Sequence, residues 1–327
     1  MDTFDKTIFN KTMCLKKIVN KSMKRREFLK AVTAAASIAL PLLTSPVLAK
    51  NRTAIRKAIP STGELLPVIG MGSSRTFDVG DDREERAMLQ KVLQAFFDNG
   101  GSLIDSSPMY GSSEKVIGDL LRNVKNKGDL FSATKVWIDG KQEGISQMEN
   151  SMKLWGVKKF DLMQIHNLRD WEIHLETLKQ WKAEEKIRYI GITTSHGRFH
   201  DELETILENE PFEFVQLSYN IDNRDVEQRL LPIAREKGMA VLVNRPYQRG
   251  SLFRKVKGQK LPDWAREFDC ESWGQFFLKF VVSHPAVTCV IPATSKLRHM
   301  VDNMQAGFGR LPDDKTRKKM LAFYNAL

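Results

Sequence analysis

From about residue 60 the chain alternates short apolar, β-branched runs with amphipathic stretches, and the runs number eight. They are LPVIGMG, SLIDSS, FSATKVW, FDLMQIH, RYIGITT, FVQLSYN, AVLVNRP and TCVIPAT. Between them lie EERAMLQKVLQAFFDNG, GISQMENSMKLWG, WEIHLETLKQWKAEEK, ELETILENE, VEQRLLPIAREKG and SWGQFFLKFVVSH. Leu89, Val92, Leu93 and Phe96 recur on one helical face. Gly100 and Gly238 follow helical patterns where a C-terminal cap belongs. Strand–helix alternation predicts an α/β fold, and eight repeats predict a closed (β/α)8 TIM barrel. An open doubly wound sheet would need a glycine-rich turn running from its first strand into a helix. GMGSSR lacks the third glycine, and no helical pattern starts there.

Composition narrows the partners. The net charge is +11, but residues 1–49 hold nine Lys/Arg against three Asp/Glu and so carry more than half of it. The body has no basic block interleaved with aromatics, so no nucleic-acid partner is expected. Cys14, Cys270 and Cys289 show neither metal-ligand spacing nor a CxxC, and no metal is expected. Cys289, inside VTCVIP, reads as core.

The N-terminal stretch MKRREFLKAVTAAASIALPLLTSPVLAK opens at Met23 with a basic segment and continues into an Ala-rich apolar one. It ends on Val47-Leu48-Ala49, which suits cleavage. Arg25-Arg26 with Phe28-Leu29-Lys30 resembles a twin-arginine (Tat) export signal, with Lys24 where Ser or Thr is usual. Pro41 and Pro46 make the same stretch a poor membrane anchor. The expected organisation is an extension and signal over 1–49, then a barrel over 50–327. Export to the periplasm through the Tat translocase is expected, with a cytoplasmic location as the alternative. The start is Met1 or Met23.

Polar residues cluster where the strands end, which is where such barrels do chemistry. In order these are Asp105 and then Tyr110, Lys135, His166, Thr193-Thr194, Gln216, and Asn244-Arg245. Singly each has a plain explanation as a turn cap, a solvated lysine or a core histidine. Together they form one device, because parallel strands bring consecutive ends within side-chain reach. A phenol of ordinary pKa ~10 is a poor proton donor at neutral pH unless a cation lowers it. Lys135 is the expected cation, Asp105 the acid that holds it, and His166 the group that orients a substrate oxygen.

LIDSSPMYGSSEKVIG, ATKVW, FDLMQIHN, IRYIGIT and FEFVQLSYN resemble, in order, the signatures of the aldo-keto reductase superfamily. STGELLPVIGMG resembles its N-terminal hairpin, and VIPATSKLRHMVDN its cofactor-phosphate segment. The similarity covers about residues 55 to 310. It implies that Asp105, Tyr110, Lys135 and His166 are catalytic. It also implies hydride transfer from NADPH to a carbonyl carbon, or the reverse, with Tyr110 protonating the oxygen. Gln216 matches the residue that binds the nicotinamide carboxamide. Ala293, Ser295, Lys296, His299 and Asn303 match the adenosine 2′-phosphate segment, where Lys296 and Arg298 favour NADP over NAD.

Three positions depart from the family pattern. Thr193-Thr194 stand where Ser-Asn or Ser-Arg is usual. Asn244 takes the place of the aromatic that stacks on the nicotinamide, with Tyr247 a candidate replacement. Arg245 replaces a small serine near the pyrophosphate, which it is placed to pair with. The resulting expectation is an NADP-dependent reductase of small carbonyl or alcohol substrates, acting as a monomer. The alternative is a non-catalytic nucleotide-binding sensor or regulatory module on the same barrel. Trp137 and Trp264 are candidates for an apolar substrate wall.

Overall fold

A hairpin opens the described part of the chain. In the computed structural model, which describes residues 53–327, β1 (Arg56–Ala58) pairs antiparallel with β2 (Leu65–Pro67). The expected signal at 23–49 and the expected boundary at 49/50 lie outside the described residues. Ile59 and Leu66 of this hairpin pack with the side chains that fill the barrel interior, so the hairpin plugs one end of it.

The eight apolar runs all form parallel strands, each hydrogen-bonded to the next in sequence. They are β3 (Met71–Gly72), β4 (Leu103–Asp105), β5 (Phe131–Val136), β6 (Phe160–His166), β7 (Ile187–Thr193), β8 (Phe214–Ser218), β9 (Ala240–Asn244) and β10 (Val287–Val290). A parallel bridge from Ile69 to Val290 joins the first strand to the last, with Gly70 N donating to Val290 O at 2.8 Å. The approach is close enough to require glycine: a Cβ at Gly72 would lie 2.8 Å from the Ile291 carbonyl oxygen.

Helices alternate with the strands: α1 (Arg83–Asp98), α2 (Ser113–Leu121), α3 (Lys141–Trp155), α4 (Trp171–Ala183), α5 (His200–Asn209), α6 (Leu230–Glu236), α7 (Ser251–Lys255), α8 (Trp273–Val282), α9 (Leu297–Gln305) and α10 (Asp314–Asn325). Asp82 caps α1 by accepting from the Glu84 and Glu85 amides, both at 2.9 Å, and Leu89, Val92, Leu93 and Phe96 are buried. VEQRLLPIAREKG, read as one helix, divides into a 3₁₀ turn at Asp225–Glu227 and α6. Pro232 explains the division: it has no N–H to donate and is tolerated only in a first turn. The α2 segment, not among the helical runs singled out from the sequence, buries Val116, Ile117, Leu120 and Leu121 and leaves Lys115 exposed.

Strand periodicity separates two cores. Leu103, Phe131, Ala133, Leu162, Phe214 and Leu242 pack inside the barrel, whereas residues of opposite parity pack between strands and helices. Burying each Leu or Phe contributes about 1.5–3 kcal/mol. Two residues further along the inward parity the side chains become polar: Asp105, Lys135, Gln164, Gln216 and Asn244. The apolar interior thus ends in a polar layer at the carboxyl ends of the strands.

Candidate active site

The strand register sets the central pair. Asp105 is paired with Ala133, which places Lys135 one inward step further along β5. Its ammonium reaches back to the carboxylate, with Nζ 2.6 Å from Oδ2, and both groups are buried. Lys135 also donates to the Ser106 carbonyl at 2.7 Å. The other carboxylate oxygen, Oδ1, accepts from Gln164 Nε2 and Gln216 Nε2, each at 2.9 Å. A buried ion pair persists only when its remaining donors and acceptors are met, and here two carboxamides meet them. Gly191, facing them on β7, makes the room: a Cβ there would lie 2.9 Å from Gln164 Cγ.

Tyr110 arrives from the turn after β4, where its amide donates to Ser107 O at 2.9 Å. Its ring meets the His166 imidazole edge-on, centroids 5.8 Å apart, and Lys135 Nζ lies 5.4 Å from the ring centroid. Two stitches hold this turn to the loop after β3. Ser73 Oγ donates to Ser106 Oγ at 2.8 Å, and Asp78 Oδ1 accepts from the Ser112 amide at 2.8 Å. Burial raises the phenol above its ordinary pKa of 10, while Lys135 pulls it down, Asp105 pushes it up and Arg245 pulls it down. The cation acts in the expected direction, but burial outweighs it.

His166 ends β6. Burial, followed by the charge of Lys135, drives its pKa down to about 2, so the imidazole is neutral. Its Nδ1 lies 2.9 Å from Ser107 Oγ, and that same oxygen accepts from the Met109 amide at 3.2 Å. Nδ1 is the acceptor within reach of that hydroxyl proton among the described residues, so the serine is assigned as the donor. A neutral imidazole that accepts at Nδ1 carries its proton on Nε2.

The positions that depart from the family pattern form a continuation of this network. Asn244 Nδ2 donates to the Thr194 carbonyl and to Gln216 Oε1, each at 3.3 Å, and Asn244 Oδ1 accepts from Ser218 Oγ at 2.6 Å. Thr193 Oγ1 donates to Thr194 O at 3.3 Å. Asn244 thus ties β7, β8 and β9 together through polar bonds. Arg245 follows it, half-buried, on left-handed backbone with φ 54°. Burial first, then nearby Arg249, lowers its pKa to about 10. Tyr247 does not replace the missing ring. It packs against Phe253 and Phe277, with centroids 4.9 and 6.5 Å away, and its hydroxyl donates to Asn303 Oδ1 at 2.6 Å.

A model of the aldo/keto reductase family matches residues 68–318. The chain belongs to that family. Among relatives, it is 27% identical over 255 residues to methylglyoxal reductase YeaE of Escherichia coli, covering 76% of this chain and 88% of that one. It is 27% identical over 218 residues to aldo-keto reductase YhdN of Bacillus subtilis, covering 61% and 64%. An aldo/keto reductase from Klebsiella pneumoniae, solved in complex with NADP and acetate, superposes with TM-score 0.68 at 22% identity over 82% of this chain and 94% of that one. The glycerol dehydrogenase AKR11B4 of Gluconobacter oxydans superposes with TM-score 0.67 at 20% identity, over 83% and 95%.

In this aldo/keto reductase family member the residues expected to hold a dinucleotide fall in two places. Thr194 Oγ1 is buried with no hydrogen-bond partner among the described residues, beside Gln216 and Asn244. Ser295, Lys296, Arg298 and His299 are exposed together where α9 begins, and Lys296 and Arg298 both lower the His299 pKa, after burial. Asn303, by contrast, is buried further along α9, its side-chain oxygen occupied by Tyr247. The two tryptophans separate. Trp137 lies 6.4 Å from His166, with Arg169 stacked 5.0 Å from its ring on the indole. Trp264 packs among Phe268, Phe276 and Phe323. Sequence reasoning passed over Gln164, Ser107 and Gly191. For Gln164 there was a signal: a polar residue at inward parity, two before His166 and between the apolar Met163 and Ile165.

Proposed function

We propose that this protein reduces aldehydes or ketones to alcohols with NADPH, or runs the reverse oxidation, using Tyr110 as general acid or base. The observation that carries the reading is the buried Lys135–Asp105 pair set against Tyr110 and His166. NADPH, when bound, supplies the hydride to the carbonyl carbon. The chain supplies the rest. His166 offers its Nε2 proton to the carbonyl oxygen and orients it. Tyr110 gives its proton to that oxygen, and the phenolate left behind is stabilised by Lys135. Asp105 keeps the lysine charged and aimed, and Gln164 and Gln216 keep Asp105 in place. Thr194, Gln216, Asn244 and Arg245 are the groups that would hold the nicotinamide half, and Ser295, Lys296, Arg298 and His299 the 2′-phosphate. The reductase named among the relatives, acting on methylglyoxal, supports a small carbonyl substrate.

The test is NADPH oxidation with methylglyoxal and a short series of aldehydes. Tyr110→Phe is expected to lower turnover by ~10²–10⁴ while leaving NADPH affinity unchanged, because only the proton donor is lost. Parent protein that binds NADPH yet turns over no carbonyl would favour the sensor reading instead.

The twin-arginine resemblance supports export, and a translocated reductase would carry a cofactor loaded in the cytoplasm. Fractionation tests this: the expected mature chain is periplasmic, begins after Ala49 and retains close to one nicotinamide after dialysis. A cytoplasmic full-length chain would remove the export reading.

A further inference from the structure

Four arginines stand on the loops at the carboxyl ends of the strands without a carboxylate partner among the described residues. They are Arg75 after β3, Arg198 after β7, and Arg245 and Arg249 after β9. β3 and β7 are four strands apart in an eight-stranded ring, so Arg75 and Arg198 rise from opposite sides of the mouth, with β9 midway. The charges of Arg75, Arg198 and Arg249 each act on Arg245, and Arg245 acts on Tyr110. Arg75, Arg245 and Arg249 sit on left-handed backbone, at φ 65°, 54° and 55°.

We propose that Arg75, on the loop bonded to the Tyr110 turn, holds the anionic group of the substrate, so that the preferred carbonyl compounds carry a carboxylate or a phosphate. This rests on the reductase reading given above. The count of charges separates the substrate from the cofactor. A diphosphate bridge carries two negative charges, and Arg245 with Arg249 suffices to balance it. Arg75 belongs instead to the loop that the bonds of Ser73 to Ser106 and of Asp78 to Ser112 lock against the Tyr110 turn. The backbone that carries it is therefore fixed relative to the Tyr110 turn rather than to α9. Arg198, across the mouth, adds attraction at longer range and speeds the entry of an anion.

Matched substrates test the idea: 4-oxobutanoate against butanal for a carboxylate, and glyceraldehyde 3-phosphate against glyceraldehyde for a phosphate. The parent is expected to favour at least one charged member by about 10-fold or more in kcat/KM. Arg75→Gln, and Arg75→Gly which suits the backbone, should remove that preference by about 10- to 100-fold. Both should leave the neutral member and NADPH affinity within about 3-fold. Whichever pair shows the effect identifies carboxylate or phosphate. Equal rates for charged and neutral members would overturn the proposal, and so would an Arg75 variant that weakens NADPH as much as the anion. Calorimetry with 4-hydroxybutanoate against 1-butanol, and with glycerol 3-phosphate against glycerol, reads the anion site without turnover. Anion-dependent heat that is lost in Arg75→Gln upholds the site even where no carbonyl is reduced, a result that would overturn the reductase reading alone. Its absence for both anions would overturn the site.

Discussion

Gln164 holds the oxygen of Asp105 that Lys135 leaves free, with Nε2 2.9 Å from Oδ1 while the ammonium takes Oδ2 at 2.6 Å. The carboxylate is thereby fixed from two sides, and its lysine with it. The aim of the cation at Tyr110 depends on a residue that touches neither the phenol nor the imidazole.

Gly191→Ala should disturb this arrangement without touching any charged group. The added methyl meets Gln164 Cγ at 2.9 Å and must displace it from Asp105. The expected result is a stability loss of about 1–3 kcal/mol, the range for overpacking, together with a fall in kcat. Urea unfolding and steady-state kinetics check it, and unchanged values in both would mean that the carboxamide gives way freely.

Lys135→Met removes the charge that pulls the Tyr110 phenol down against burial. The phenol pKa should rise further, so the ascending limb of the alcohol-oxidation profile, where the phenolate is the base, should move to higher pH. An unmoved profile with lower turnover would make the lysine structural. The lone variant leaves a buried carboxylate unpaired and should lose about 3–5 kcal/mol of stability, part of which Asp105→Asn alongside it should restore.

Ser107→Ala deletes the donor to His166 Nδ1. Loss of one hydrogen bond worth about 1 kcal/mol lets the proton shift to Nδ1, lowering kcat by roughly 5-fold. Nitrogen-15 resonances of the imidazole report the tautomer directly: protonated Nε2 in the parent and a mixture in the variant. Protonated Nδ1 in the parent would contradict the bond accounting.

Like that of His284, the lowered pKa of His166 should make the protein less stable in acid. The native imidazole stays neutral down to about 2, whereas the unfolded one takes a proton as pH falls through 6.5. The unfolded chain thus binds more protons in that window, and stability falls as pH drops across it. The urea midpoint should decline below about pH 6.5, and less steeply in His166→Gln. The reduction rate should show no step from this histidine between about pH 5 and 8.

Replacing Lys296 and Arg298 together with Ala should weaken NADPH by about 1–3 kcal/mol and NADH far less, since only NADPH carries a 2′-phosphate. Fluorescence titration with both cofactors checks this. Equal weakening would move the phosphate site elsewhere.

The repeat of eight apolar runs determined the barrel, and their polar ends determined which residue types meet at its mouth, because strand parity and parallel order leave few alternatives. Asp105, Tyr110, Lys135 and His166 were legible for that reason. What local pattern does not encode is how side chains share partners across strands. Gln164 and Gln216 divide one carboxylate oxygen, and Gly191 is glycine on account of a neighbour 27 positions away in the chain. Tyr247 looked available as a ring for the nicotinamide, yet packing against Phe253 and Phe277 drew it into the wall of the barrel. The net pKa of Tyr110 likewise came from burial, a quantity summed over the whole fold, and not from the lysine that the sequence pointed to. Residue type and order were set along the chain; desolvation, shared hydrogen bonds and steric room arise only when distant segments close around the same few cubic ångströms.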